Sequence, residues 1–200
     1  MVDVTVTTPG GTSATSAADV FTYLVAPVVA GVSPASGPLA PATVTVTVTG
    51  RGFTGATGVS FGSAAATNLA VASDTQLTVT SPAQFGTGTV DVSVTAPGGT
   101  SATSAADQFT YLTAPVVTGI VPRSGPLAGG GTVTVTGRGF TGATGVSFGS
   151  ATVTNPAVAS DTQLTVTSPA ATASGTVDVT VTGPGGTSAT SAADQFTYGN

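Results

Sequence analysis

Residues 43–61 read TVTVTVTGRGFTGATGVSF. The first seven alternate strictly between Thr and Val, which is the signature of a strand with one face turned to a core. Val44, Val46 and Val48 share one face, and the four threonines share the other. The glycines at 50, 52, 55 and 58 then punctuate a turn that returns Phe53 towards the same core, and Val59 and Phe61 open a second short strand. The run 51–64, RGFTGATGVSFGSA, recurs letter for letter at 138–151.

Repetition extends outward from there. Val90–Tyr111 reads VDVSVTAPGGTSATSAADQFTY, and Val177–Tyr198 is nearly the same. A third copy, VDVTVTTPGGTSATSAADVFTY, opens the chain at Val2–Tyr23. The order is therefore the tail of one repeat followed by two whole ones: 1–25, 26–112 and 113–200. Met1 stands where the other copies have Thr89 and Thr176, which reads as a cut inside a repeat.

Within one repeat the remaining strand signals are Val28–Val32, Leu69 with Val71 as a short edge, Leu77 with Val79, Val90–Val94, and Phe109 with Tyr111. SPASGP at 33–38, SDT at 73–75, Ser81-Pro82 and APGG at 96–99 are turns. SATSAAD at 101–107 is expected to form a helical turn or a bulge. About seven short strands, with turn signals every 8–12 residues and no helical period, predict an all-β fold of tandem immunoglobulin-like antiparallel sandwiches.

Composition narrows the function. The 200 residues contain three Lys+Arg, all arginine (51, 123 and 138), and eight acids, all aspartate, for a net charge of −5. Such a chain lacks the basic footprint that neutralises phosphates, so no nucleic-acid partner is expected. Cysteine and histidine are absent, and so are Lys and Glu. Serine then has none of the usual general bases beside it, so no enzyme activity and no cofactor are expected. Asp74 and Asp161, each followed by Thr, are the one candidate carboxylate pair; Gln76 and Gln163 follow in place of Gly, and a turn-stabilising role is the expectation. The isolated acids also argue against a calcium site at the domain junction. No run of about 20 apolar residues is present to span a membrane.

The motifs GVSPASGP (31–38), GIVPRSGP (119–126), GGGTVTVTGRGF (129–140), SDTQLTVTSPA (73–83 and 160–170) and GGTSATSAADQFTY (98–111 and 185–198) resemble the IPT/TIG family of immunoglobulin-like domains. The first repeat departs from that pattern, with APATVTV at 40–46 where the second has AGGGTVTV. The resemblance covers nearly the whole chain. It implies the sandwich fold and, for near-identical tandem copies, the array members of bacterial surface proteins.

The function expected is a non-catalytic segment of a stalk, fibre or adhesin shaft at the cell surface or outside the cell, with polymerisation into a filament through the incomplete first hairpin as its extension. Its partners would be neighbouring copies or adjacent repeats. The alternative is an accessory module that binds carbohydrate or protein beside a secreted enzyme. Asp3, Asp91 and Asp178 read as solvated charges on the hydroxyl face, with Arg51 or Arg138 of a neighbouring repeat as the alternative partner. The residues expected at assembly or inter-domain contacts are Val2, Val4, Val6, Phe21, Tyr23, Tyr111 and Tyr198. The tyrosines are expected to cap their own cores with the hydroxyl outward, or alternatively to pack on the next domain. The hairpin Val2–Tyr23 cannot bury its own apolar face, and isolated hairpins are marginal, so a neighbouring polypeptide is expected to cover it.

Overall fold

The computed structural model describes residues 1–199. In the first repeat, one sheet runs in the order Thr67–Ser73, Gln76–Thr80, Thr45–Arg51, Val28–Ser33. The second runs Ser36–Pro38, Gln108–Leu112, Gly88–Ala96, Gly58–Phe61, Ala64–Ala65, with Gly99–Thr100 pairing off the long Gly88–Ala96 strand. The second repeat is built the same way: Ala157–Ser160, Gln163–Thr167, Thr132–Arg138 and Val116–Val121 face Ser124–Pro126, Gln195–Gly199, Gly175–Gly183, Gly145–Phe148 and Ala151–Thr154. These are immunoglobulin-like sandwiches, as the alternation of Val and Thr requires: one face of each strand must be covered, and the facing sheet covers it.

Between the sheets of the first repeat lie Val29, Val46, Val48, Phe53, Phe61, Leu77, Val79, Val92, Val94, Phe109 and Tyr111, all buried. Phe61 meets the edge of Phe109, with ring centroids 5.1 Å apart, and Phe109 meets Tyr111 at 5.0 Å. The second repeat repeats this with Phe148, Phe196 and Tyr198, at 5.2 and 5.0 Å. Phe53 comes from the glycine-rich loop and is fully buried, as the sequence predicts.

Two local readings are corrected. SPASGP is not only a turn: Ser36–Pro38 is a strand that pairs parallel to Gln108–Leu112, with Thr110 opposite Ser36. It lies at the sheet edge, where Pro38 has no ladder bond to lose. The alternating run also pairs later than expected, over Thr45–Arg51. Gly50 and Arg51 continue the ladder opposite Val29 and Val28, whereas the Val44 N–H leaves it and donates to the Ser81 hydroxyl at 3.1 Å. The SATSAAD segment resolves into a 3-10 turn, Ala105–Asp107, capped by Ser104.

The loss of the three glycines in the first repeat changes only the entry to this strand. There the Ala40 N–H donates to the Gln84 carbonyl, and in the second repeat the Gly130 N–H donates to the Ser168 carbonyl. The register that follows is equivalent, with Leu77 opposite Val48 and Leu164 opposite Val135.

Candidate functional site

The first hairpin forms from its own sequence. Val2 stands opposite Phe21 and Asp3 opposite Val20, the register that Val90 and Phe109, Asp91 and Gln108 adopt inside a complete repeat. The Val4 N–H donates to the Asp19 carbonyl at 2.8 Å, and the Val179 N–H to the Asp194 carbonyl at the same distance. The Ser13 hydroxyl accepts from the Val6 N–H, as Ser101 does from Val94 and Ser188 from Val181. Phe21 and Tyr23 keep the edge-to-face contact, 5.0 Å between centroids.

Burial separates the copies. Val4, Val6, Phe21 and Tyr23 are 55%, 63%, 52% and 73% exposed, while Val92, Val94, Phe109 and Tyr111 are at most 1% exposed. Val2, which stands opposite Phe21, extends this open apolar face. Among the described residues nothing covers this face, and uncovered apolar surface costs about 25 cal/mol per Å2 relative to burial. A contiguous exposed apolar patch marks an interaction surface more often than a scatter of single residues does.

Of the seven residues expected at contacts, the structure brings five together here: Val2, Val4, Val6, Phe21 and Tyr23. Tyr111 and Tyr198 lie elsewhere, each inside its own core. Their hydroxyls point inward instead of outward. Tyr111 donates to the Pro82 carbonyl at 3.1 Å and Tyr198 to the Pro169 carbonyl at 2.9 Å, and burial raises the pKa of both phenols. A buried phenol needs a partner, and the carbonyl of the Ser-Pro turn supplies it.

Asp74 and Asp161 serve separate repeats. Asp74 accepts from the Gly52 N–H at 3.0 Å and from the Thr54 N–H and hydroxyl at 3.3 and 2.9 Å. Asp161 does the same for Gly139 and Thr141. These bonds, the Gly52 and Gly139 amides foremost, hold both carboxyls below the usual carboxylate range. Gly52 has φ +77°, which the side chain of another residue would strain. Each aspartate is thus a clamp across the glycine-rich loop, with amides distant in sequence from the turn that carries it.

Two further acids, Asp107 and Asp194, are fully buried. Each receives the N–H and hydroxyl of the serine three residues before it, through Oδ2. Oδ1 of each is buried without a partner. Burial raises the Asp194 pKa, with a smaller contribution from Asp178. The sequence carries a signal for this pair in the repeated Ser-x-x-Asp spacing of a capping box.

Sequence reasoning did not find the clefts at the junctions between units. Pro34, Ser36, Pro38, Thr43 and Val44 of the first repeat and Thr144, Gly183, Pro184 and Gly186 of the second enclose a cleft of about 390 Å3. Leu24 and Val25 meet Gly52, Gly55, Asp74, Pro97 and Gly98 in a second cleft of similar size before the first repeat. The recurrence of Pro-Gly-Gly at 9–11, 97–99 and 184–186 was the available signal.

Comparison with known proteins bears on the fold. No curated protein matches the chain. Two solved structures of the plexin A4 extracellular region superpose with TM-scores of 0.61 and 0.62 at 19% and 18% identity, covering 92% and 90% of this chain. The chain spans only 19% and 16% of theirs, so the likeness is one of fold. The Yersinia pseudotuberculosis adhesin InvE is also similar, at 15% identity over 87% of this chain and 59% of its own, with a TM-score of 0.34. The description of the IPT/TIG domain matches residues 27–111 and again 115–198. With both whole repeats matched over nearly their full length, the chain belongs to the IPT/TIG domain family.

Proposed function

We propose that this chain is a non-catalytic structural segment of a cell-surface or extracellular protein, in which tandem IPT/TIG repeats form a shaft or fibre. We further propose that its first hairpin is the joining surface, covered by a neighbouring copy or repeat. One observation carries the reading. The apolar side chains of Val4, Val6, Phe21 and Tyr23 are those that the complete repeats bury, and here they stand open in a hairpin already folded in the buried register. A surface of that chemistry fits the inner face of a sheet rich in Val, Leu and Phe.

Sedimentation over a range of concentrations tests the reading. The parent chain is expected to assemble, and the double substitution Phe21→Asp, Tyr23→Asp to sediment as a monomer. A parent chain that stays monomeric, with the 2–23 amides open to hydrogen exchange, overturns the joining role.

The second reading, a ligand-binding module, has Phe85 in its favour, an aromatic 90% exposed in the loop before the Gly88–Ala96 strand. Its counterpart in the second repeat is Thr172. Retention on immobilised glucans that is lost in Phe85→Ala would favour this reading; background retention leaves the shaft.

A further inference from the structure

The Pro-Gly-Gly turn recurs in all three copies, and its two glycines answer to different demands. The second, Gly99 or Gly186, has φ +118° or +108°, a conformation the turn itself needs. The first, Gly98 or Gly185, has an ordinary φ, so the turn alone would accept a side chain there. The entering chain forbids it. A Cβ on Gly98 would run into the carbonyl of Val25, and one on Gly185 into the carbonyl of Thr113, with the Leu112 carbonyl 3.1 Å away. Leu112 ends the last strand of the first repeat, so this contact joins one repeat to the next.

A third copy supplies the internal control. Gly10 occupies the same place in the first hairpin, where among the described residues a Cβ would meet only the Thr8 hydroxyl at 3.7 Å. The demand for glycine at this position therefore comes from the junction. Two more contacts complete it. A Cβ on Gly186 would lie 3.9 Å from the Cβ atoms of both Ala114 and Pro38, the latter in the first repeat's edge strand. Pro184 lies against Gly142, as Pro97 lies against Gly55, anchoring each turn to the glycine-rich loop of its own repeat.

We infer that the Pro-Gly-Gly turn is an orientation lock: its first glycine, Gly98 or Gly185, seats the backbone of the entering chain and holds successive repeats at one rotation. Small interfaces between domains ordinarily permit relative motion. Here backbone lies against backbone, where no side chain can swing aside, and Pro27 or Pro115 stiffens the chain just beyond the contact. Because both junctions set the first glycine of the turn against a backbone carbonyl of the entering chain, each added repeat meets the same backbone contact. The lock explains how a shaft holds its line, and it rests on the shaft reading only for that use.

Residual dipolar couplings on the full 200-residue chain test it. In the parent chain both repeats are expected to report one shared alignment tensor. Gly185→Ala is expected to abolish the shared tensor while the core amide shifts of each repeat stay in place. Gly10→Ala is the matched control and should change nothing. If Gly185→Ala perturbs folding of the second repeat, insertion of Gly-Gly between Thr113 and Ala114 displaces the same carbonyl and leaves both sandwiches intact. Independent tensors in the parent chain, or a tensor still shared after the insertion, overturn the lock. Neither outcome touches the joining role of the first hairpin, which stands or falls on assembly; a monomeric chain with one shared tensor would overturn the joining role and keep the lock.

Discussion

Val2–Tyr23 and Val90–Tyr111 are nearly one sequence in two surroundings. They share register, the serine bond to the strand amide, and the aromatic edge contact. They differ in what lies across from them. Val92, Val94, Phe109 and Tyr111 face the Val28–Ser33, Thr45–Arg51 and Gln76–Thr80 strands and are sealed, whereas Val4, Val6, Phe21 and Tyr23 face no sheet within the described residues. The comparison separates two sources of order that a single sandwich would leave tangled. Hairpin geometry is local; the energy that would stabilise it comes from an opposite sheet.

Phenylalanine should break the comparison most sharply. Phe109→Ala is expected to destabilise the first repeat by about 3–5 kcal/mol, the range for emptying a large aromatic site in a packed core. Phe21→Ala in the monomer should stay within about 0.5 kcal/mol, as exposed positions do. Chemical denaturation of the two variants side by side checks this, and equal losses would mean that the first hairpin is packed in solution.

Tyrosine gives a smaller contrast. Tyr111→Phe removes the bond to the Pro82 carbonyl and leaves that acceptor unpaired, for an expected loss of about 1–3 kcal/mol. Tyr23 has no such partner among the described residues, and Tyr23→Phe should leave the thermal midpoint unchanged.

The smallest effects are those of pH, and here two kinds of aspartate should oppose one another. Asp74 and Asp161 have depressed pKa values in the folded chain. Their contribution is therefore present above the unfolded value of 3.8 and is lost as pH falls through the lower folded value. Asp194 has a raised pKa, so its contribution is full below the unfolded value and is lost as pH rises from there through the folded one. Denaturation curves against pH should show Asp74→Asn flattening the acid limb. Asp194→Asn should remove the decline above it. The same slope in both variants would contradict the assignment of the two environments.

Much of the sandwich was legible in the chain. TVTVTVT announced a strand with one covered face because the pleat puts alternate residues on opposite sides. Phe53 could be placed in the core because glycines flank it in a turn. Ser36–Pro38 was not legible as a strand: two prolines with Ser and Gly read as a turn, and only the neighbouring Gln108–Leu112 strand gives that backbone a partner. The Tyr111 hydroxyl was misread for the same reason, since its acceptor lies on Pro82, in a different part of the chain. Gly98 and Gly185 looked like ordinary turn glycines, because the carbonyl that requires them belongs to the segment entering the repeat.

Read alone, the chain yields the number of copies, most of the strands and the residues with an apolar face to hide. All of these follow from alternation and turn chemistry over a few neighbouring positions. Packing across the chain sets which of those faces are covered, where the buried tyrosine hydroxyls find partners, and which glycines hold one repeat against another. Those depend on contacts between segments far apart in the chain, and identical stretches such as 2–6 and 177–181 meet different neighbours.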